Sequence, residues 1–440
     1  MKIIRELGNA EYFYYLYNKL APTNFVIVAS LSIPIEEKEI SKAMNILVNS
    51  NDIFRMKIVP ISLTQLAFCE KPIQTIEAHA ITGPANMLES LMAVEVNTPM
   101  RNDNEVLHLT IFTEDESKSQ HLLFTFNHIL TDATSAVEMV QKTVAYASSK
   151  NLPSVVEHKT VSLNLESLLP SIVRGMGFLR SAFSLVKRSF LTGRRSKIMQ
   201  QRIFGEYNFQ SRSVNIKSIC LKEYSSQKLI ELARTNHLTV HHLLSSVIAV
   251  IIRNQYEWKG KFPLIISTPV SLRKMLDPEI DVDVPGLYIS IPKLRIPVGN
   301  DDDIFEVAQL IKTELQHVIH SNEVLILWKL LPRKKFPNTS EGLKQMDRTF
   351  SKNNDSAMIS NLGVVPILPE LKPKNPLRSL HFAVAPPKDA LLCCAVCSYR
   401  EEMVLNFCFN ADLLQHDICQ TLYQEFESCI NKIVGSAEYQ

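Results

Sequence analysis

The residues best suited to chemistry in this chain are His128 and Asp132, four positions apart. The histidine follows an apolar, strand-like run at 121–127, and the aspartate stands where a helical pattern begins. An imidazole with an ordinary pKa of about 6.5 takes up and returns a proton near neutral pH, which suits general base catalysis. Two other interpretations stay open: a chance pairing among twelve histidines, and an aspartate that merely caps the helix.

The elements around this pair are those of an α/β protein. In the first half, the apolar patterns predict helices at 11–19, 36–49, 85–96 and 132–147 and strands at 24–33, 56–60, 64–69, 106–113 and 121–126. In the second half, they predict strands at 215–221, 262–270 and 357–362, a hairpin at 391–409, and helices at 225–236, 240–255, 304–320 and 414–434. The second half thus repeats the elements of the first without obvious sequence identity.

Composition indicates an ordinary globular protein. Of 440 residues, 46% are hydrophobic and 21% charged, and 47 Lys and Arg balance 45 Asp and Glu, so no overall field for nucleic acid is expected. A chain of this length exceeds one hydrophobic core, which favours two lobes. We find neither a secretion signal nor a spanning segment in the sequence, and we expect a cytoplasmic protein.

Two clusters of metal-type ligands are interpreted as packing residues. The first, Cys393, Cys394 and Cys397, lies in an apolar strand-like run without a second matching pair. The second, His237 and His241, has the spacing of two ligands on one helix face but no evident third ligand. We therefore predict no metal site.

Residues 167–205 form a basic, apolar segment between the two halves. It carries eight cations and no acid, and aromatic and aliphatic residues lie between the charges. Such a segment suits an anionic membrane surface or an acidic protein partner, and the alternative is a solvated helix that crosses between lobes.

Five segments in this order resemble the coenzyme-A-dependent acyltransferase superfamily: LGNAE near the start, the His128–Asp132 motif, PVSLR ending at Arg273, SNLG at 360–363, and LNFCFNADLL near the end. The superfamily includes chloramphenicol acetyltransferase, the condensation domains of peptide synthetases, the BAHD enzymes and the alcohol O-acetyltransferases. SNLG and PVSLR point to the last group and its mycobacterial polyketide-associated relatives. The chain lacks the Asp-Phe-Gly-Trp-Gly motif of the BAHD group.

The resemblance implies two chloramphenicol-acetyltransferase-like lobes, each an α/β two-layer sandwich, that form a pseudo-dimer with a tunnel at their interface. Residues 1–166 would form the first lobe with the His-x-x-x-Asp motif, 167–205 the crossover linker, and 206–440 the second lobe. Asn127 and Ala133 depart from the common pattern, which has a second histidine and a glycine there.

The resemblance also implies a reaction. His128 would be the general base that helps an acceptor hydroxyl attack an acyl-CoA or acyl-carrier-protein thioester, with no permanently bound cofactor. Asp132 would pair with Arg273, and Ser360 and Asn361 would either steady the oxyanion or form a turn. Alternatives are a free-standing condensation domain that forms an amide and a degenerate, non-catalytic scaffold. The acceptor could be a lipid or polyketide, and 167–205 could contact a membrane peripherally.

Overall fold

The computed structural model of the 440-residue chain describes residues 2–72, 75–100, 105–149, 163–192, 213–255, 260–300, 302–350, 356–372 and 374–435. Its strands are β1 (Ile3–Glu6), β2 (Phe25–Leu31), β3 (Met56–Ser62), β4 (Gln65–Glu70), β5 (Ala78–Gly83), β6 (Leu107–Glu114), β7 (Gln120–Phe126), β8 (Val214–Leu221), β9 (Phe262–Ser267), β10 (Val270–Ser271), β11 (Ile289–Ser290), β12 (Lys293–Val298), β13 (Ala357–Val365), β14 (Leu377–Val384), β15 (Leu392–Tyr399) and β16 (Glu402–Asn410). Its helices are α1 (Asn9–Tyr17), α2 (Glu37–Ser50), α3 (Met87–Asn97), α4 (Ala133–Ser148), α5 (Met176–Thr192), α6 (Glu223–Thr235), α7 (Val240–Asn254), α8 (Ile304–His320), α9 (Glu323–Ile326), α10 (Ser340–Phe350) and α11 (His416–Val434).

The first lobe is built on a five-stranded sheet in the order β14-β2-β7-β6-β5. Strands β5 and β6 run parallel, and the other neighbours run antiparallel. Every residue of β2 and β7 is buried, as in a sheet that is covered on both faces. Helices α2 and α4 pack together on this lobe, and α4 also contacts β2. The loop after β7 therefore starts from a rigid central strand.

Strand β14 crosses between the two halves of the sequence. It pairs antiparallel with β2, from Leu377 opposite Leu31 to Val384 opposite Phe25, and so completes the first sheet although it lies within the predicted second lobe, 206–440. Sheet membership thus departs from sequence order at this strand, because the chain leaves the second sheet after β13 and joins the first at Leu377. The domain limits stay a prediction, and the limit between 205 and 206 lies outside the described residues.

The second lobe is built on a six-stranded sheet in the order β12-β9-β13-β15-β16-β8. Strand β13 runs parallel to both of its neighbours, β9 and β15. Strands β15 and β16 form the predicted hairpin, and Arg400 in its turn has a φ of 55°. Helices α7 and α8 pack against each other, and α11 packs on α6 and α7.

The two large sheets meet through a shared cluster of buried side chains. The cluster includes Val26 and Val28 of β2, Leu123 of β7, Met92 of α3, Ile216 of β8, Met358 of β13 and Cys408 of β16. Polar contacts add to this interface, because the Nδ2 of Asn406 donates to His381 Nδ1 at 2.9 Å and to the carbonyl of Phe382 at 2.7 Å. The lobes are therefore packed together, and residues that line their interface hold fixed positions.

Among the described helices, none alone has both the length and the apolarity to cross a bilayer. Helices α6 and α7 meet these criteria only as a pair, and their axes are bent by 94°. Helix α7 is buried from His242 to Arg253 in the core of the second lobe.

Candidate active site

His128 lies two residues beyond the end of β7, in the short loop that leads into α4. Its ring contacts two aromatic rings of the first lobe, with centroid distances of 4.9 Å to Tyr14 and 4.8 Å to Phe25. Tyr14 lies on α1 and Phe25 begins β2, so the imidazole is held between a helix and the central strands. These contacts fix the ring, whose residue is only 9% exposed.

A backbone hydrogen bond defines which nitrogen of His128 is available. Nδ1 lies 3.0 Å from the carbonyl oxygen of Thr131, and a carbonyl only accepts hydrogen bonds. In the neutral ring, Nδ1 therefore carries the hydrogen and Nε2 keeps its lone pair. Burial lowers the pKa of His128, and the nearby Asp132 carboxylate and the Thr131 carbonyl offset part of that effect. The neutral form, which can accept a proton, is thus favoured near pH 7.

The ion pair implied by the resemblance is present between Asp132 and Arg273. The guanidinium contacts both carboxylate oxygens, with Nη2 at 2.9 and 3.0 Å and Nε at 3.2 Å. Both residues are almost fully buried, at 1% and 2% exposure. Charge-assisted, multidentate bonds of this kind are the strong class of protein hydrogen bonds. Arg273 follows β10 in the second lobe, so this pair joins the two halves of the sequence.

The same carboxylate also caps α4, so both sequence interpretations of Asp132 hold. Its Oδ1 accepts from the backbone N–H of Ser135 at 3.2 Å, and Asp132 is the N-cap residue. Its Oδ2 accepts from the N–H of Tyr288 at 3.3 Å. Arg273 in turn donates to the carbonyls of Asp281 and Val284. The pair therefore organises the 281–288 loop around the site, and its influence on His128 is electrostatic.

His128 borders a cavity of about 650 Å³ at the interface of the lobes. Such a volume suits a small-molecule or cofactor-sized ligand. The lining is mostly apolar and aromatic and comes from α1, β2, β9, β13, β14 and the segment after α9, among other parts of the chain. It includes Phe13, Tyr14, Phe25, Ile265, Met358, Phe382 and Trp328. Three of the lining residues, Ser271, Leu330 and Pro332, are exposed. The histidine is accordingly accessible from a space that both lobes enclose.

Ser360 and Asn361, predicted at the site, line this cavity on β13. The Oδ1 of Asn361 accepts from the N–H of Gly363 at 2.7 Å, and Gly363 has a φ of 69°, where glycine is favoured. The pairing of β13 with β15 shifts register between Asn361 and Val364 and then continues to Val365, so this bond lies at an irregularity within the strand rather than at the strand end and turn that the sequence suggested. Because Oδ1 of Asn361 already accepts this bond, the two N–H groups on Nδ2 are the part of the side chain that can bind a ligand.

Several cavity residues were not identified from the sequence. Trp328 donates from Nε1 to the carbonyl of Ile289 at 2.7 Å, and its ring lies 5.2 Å from that of Phe13. Glu323, only 1% exposed, pairs with Arg188 of α5 at 2.7 Å. Ser267, which also lines the cavity, could have been found from the sequence, because it is a polar residue at the end of an apolar strand. Trp328 and Glu323 come together with the site only through folding.

The two clusters interpreted as packing residues take part in no metal-type grouping, and the described residues contain no group of three His, Cys, Asp or Glu that could hold a metal. Cys393, Cys394 and Cys397 are buried on β15, and burial raises the pKa of Cys397 to about 12. His237 lies before α7 with a φ of 54°, so the predicted helix-face pair with His241 does not form.

Comparison with known proteins agrees with this geometry. Residues 210–375 match the model of the phthiocerol/phthiodiolone dimycocerosyl transferase C-terminus. No curated protein sequence matches the chain.

Three solved structures are similar over nearly the whole chain. Polyketide synthase associated protein 5 from Mycobacterium tuberculosis has 13% identity and a TM-score of 0.65, with coverage of 100% of this chain and 99% of that one. Trichothecene 15-O-acetyltransferase from Fusarium sporotrichioides has 14% identity and a TM-score of 0.70, with coverage of 98% and 95%. A variant of the starter condensation domain of rhizomide synthetase, in complex with C8-CoA, has 13% identity and a TM-score of 0.68, with coverage of 97% and 94%.

The chain has the fold of the coenzyme-A-dependent acyltransferases and condensation domains. The predicted resemblance and the predicted two-lobed α/β architecture are thereby confirmed. At these identities the likeness to solved structures establishes the fold, and the acyl donor, the acceptor and the role of each residue are matters of proposal.

Proposed function

We propose that this protein is an acyltransferase that moves an acyl group from a thioester to an acceptor hydroxyl, with His128 as the general base. The observation that carries the proposal is the tautomer and the position of the His128 imidazole. Its Nδ1 is tied to the Thr131 carbonyl, and the ring borders an apolar cavity between the lobes. A base with one nitrogen held by backbone and the other available is oriented for proton transfer.

The proposed reaction needs only the chain's own residues and its two substrates. His128 Nε2 takes the proton of the acceptor hydroxyl as its oxygen forms a bond to the thioester carbonyl carbon. The tetrahedral intermediate then collapses, the carbon–sulfur bond breaks, and the imidazolium returns the proton to the thiolate. Asn361 and Ser360 would donate hydrogen bonds near the developing oxyanion, a role that typically contributes about 10²–10³ in rate. No permanently bound cofactor is required.

The donor class is inferred from the relatives and the cavity. One similar structure is a condensation domain in complex with C8-CoA, and another is named as a 15-O-acetyltransferase. An apolar cavity of about 650 Å³ suits an acyl chain and an apolar acceptor. We therefore propose an acyl-CoA or an acyl-carrier-protein thioester as donor and an alcohol, such as a lipid or polyketide, as acceptor.

A free-standing condensation domain that forms an amide is the second candidate. The similarity to the starter condensation domain favours it, because the fold serves both reactions. The two differ in the nucleophile, and an imidazole base serves either. Association with an acidic carrier protein that weakens as salt rises would favour a carrier-bound donor, because exposed charge contacts are screened by ions.

The test is a thiol-release assay with a panel of acyl-CoA and acyl-carrier thioesters, offered to alcohols and amines. We expect thiol release with an alcohol, and a loss of about 10²–10⁴ in kcat for His128→Ala. His121→Asn is the matched control: His121 lies on β7, and its ring bonds to Ser30 and Glu114 rather than lining the cavity. Full activity of His128→Ala would refute the proposed base, and release with amines alone would favour the condensation reaction.

A further inference from the structure

Helix α5 has an apolar stripe on its outer side. Four residues spaced three and four apart, and hence on one helix face, are exposed by 59–81%: Met176, Leu179, Phe183 and Val186. The opposite side packs inward, where Phe178 and Ala182 contact the core, Ser181 is buried and Leu185 lines the cavity. Contiguous exposed apolar surface of this kind marks a site of interaction.

The outward direction of the stripe is fixed by a buried carboxylate. Ser184 Oγ and Arg188 Nε, one turn apart on α5, donate to Glu323 at 2.7 and 2.8 Å. Glu323 is only 1% exposed, and a buried charge is tolerated only when it is paired. These two bonds lock one face of α5 onto α9, so the apolar stripe cannot rotate inward.

Exposed cations accompany the stripe. Arg180 and Lys187 are exposed on the same outer side of α5, and the sequence from 167 to 192 contains no acid. Lys329, which is also exposed, lies beside the helix, 4.7 Å from the ring of Phe178. An apolar face with cations at its border is the pattern of helices that lie in the headgroup region of an anionic bilayer.

We propose that α5 docks this protein on an anionic lipid surface, with Met176, Leu179, Phe183 and Val186 inserted and the bordering cations among the headgroups. The apolar stripe favours a bilayer over an acidic carrier protein, because charge contacts alone would leave four large apolar side chains in water. Leu330, an exposed residue of the cavity lining, follows Lys329, so docking would place this part of the lining close to the lipid. The proposal does not depend on the proposed reaction, since vesicle binding requires no turnover.

The test is co-sedimentation of the full chain with vesicles. We expect binding to vesicles of phosphatidylcholine and phosphatidylglycerol in equal parts, weaker binding to phosphatidylcholine alone, and a decrease with salt. Leu179→Ser combined with Phe183→Ser should weaken binding at least about tenfold. Arg180→Gln combined with Lys187→Gln should remove the preference for anionic lipid. Ile33→Ser with Leu63→Ser is the matched control, because these residues are 67% and 64% exposed elsewhere and should bind like wild type.

The outcomes separate the possible occupants of this face. Absence of vesicle binding by the wild type, or equal binding by the Leu179/Phe183 variant, overturns the proposal. Binding of an acidic carrier protein or self-association, lost in the same variant and without vesicle binding, assigns the face to a protein partner and also overturns it. Met176→Ser with Val186→Ser gives a second pair on the same stripe, and unchanged circular dichroism shows that each variant is folded.

Discussion

At His128, burial and the neighbouring groups act on the imidazole in opposite directions. Desolvation lowers its pKa, and the Asp132 carboxylate and the Thr131 carbonyl raise it by a smaller amount. The net effect keeps the ring neutral at physiological pH, which is the form that a general base needs. The sequence singles out His128 as a candidate, but the Thr131 bond that selects Nε2 depends on loop geometry that no spacing reveals.

The first prediction concerns the pH dependence of turnover. A base with a lowered pKa loses activity only when the pH falls far enough to protonate it. We therefore expect kcat/KM for thiol release to fall on the acid side with a midpoint below about 6.5, the ordinary value for histidine. A pH profile of the wild type measures this midpoint. An acid limb centred above that value would contradict the proposed role of a buried, neutral His128.

The second prediction separates two roles of Asn361. An aspartate there keeps an oxygen that accepts from the Gly363 N–H but has no amide donors. We expect Asn361→Asp to retain the wild-type melting temperature and to lose about 10²–10³ in kcat. Asn361→Ala, which removes both functions, should lower the melting temperature as well. Wild-type turnover in Asn361→Asp would leave Asn361 only its structural bond to Gly363.

At the scale of the elements, the ion pair of Asp132 and Arg273 links α4 to the 281–288 loop. Removing the carboxylate leaves a buried guanidinium without its counter-charge. We expect Asp132→Ala to lower the free energy of unfolding by about 3–5 kcal/mol, measured by chemical denaturation. The control is Glu231→Ala, which breaks an exposed pair with Lys228 and should cost less than about 1 kcal/mol. A cost for Asp132→Ala as small as that of the control would mean that the pair does not hold these elements together.

Strongly periodic elements were predicted well from the sequence. Helix α8 has the predicted limits, and β7, α4 and the β15–β16 hairpin lie within one or two residues of theirs. The short edge strand β5, the strand β12 and the crossing strand β14 were missed. Their pairing depends on partners distant in sequence, such as β2 for β14, which local patterning does not report.

The basic segment at 167–205 also shows that local sequence patterns do not report which distant residues an element contacts. Its composition predicted a docking surface, and the alternative was a crossover helix. The structure shows α5 at 176–192, and the bonds to Glu323 together with the core contacts of Phe178 and Ala182 determine which side of that helix faces outward. Arg194, Arg195, Lys197 and Arg202 of this segment lie outside the described residues.

At the scale of the whole molecule, buried histidines couple stability to pH. The pKa values of His241, His242 and His381 are lowered to about 4, chiefly by burial. Their ordinary value is about 6.5, so the unfolded chain binds more protons than the folded one between these values. These neutral histidines contribute their full stabilisation of the folded state above about pH 6.5, and that contribution is lost as the pH falls toward about 4.

We therefore expect the melting temperature to decrease steadily from about pH 7 to about pH 5, which calorimetry can measure. His381→Gln retains an acceptor for the Nδ2 of Asn406 but cannot titrate, and it should reduce this pH dependence. A melting temperature that is constant over the same range would contradict the assignment of neutral, buried histidines.

The crossing of β14 has a consequence for biosynthesis. During translation, the first sheet lacks its edge partner for β2 until residue 384 has left the ribosome. Until then, β2 exposes a row of backbone donors and acceptors that a stray strand could pair with. Such late, long-range pairing slows folding, so the nascent chain is open to misassembly through most of its synthesis.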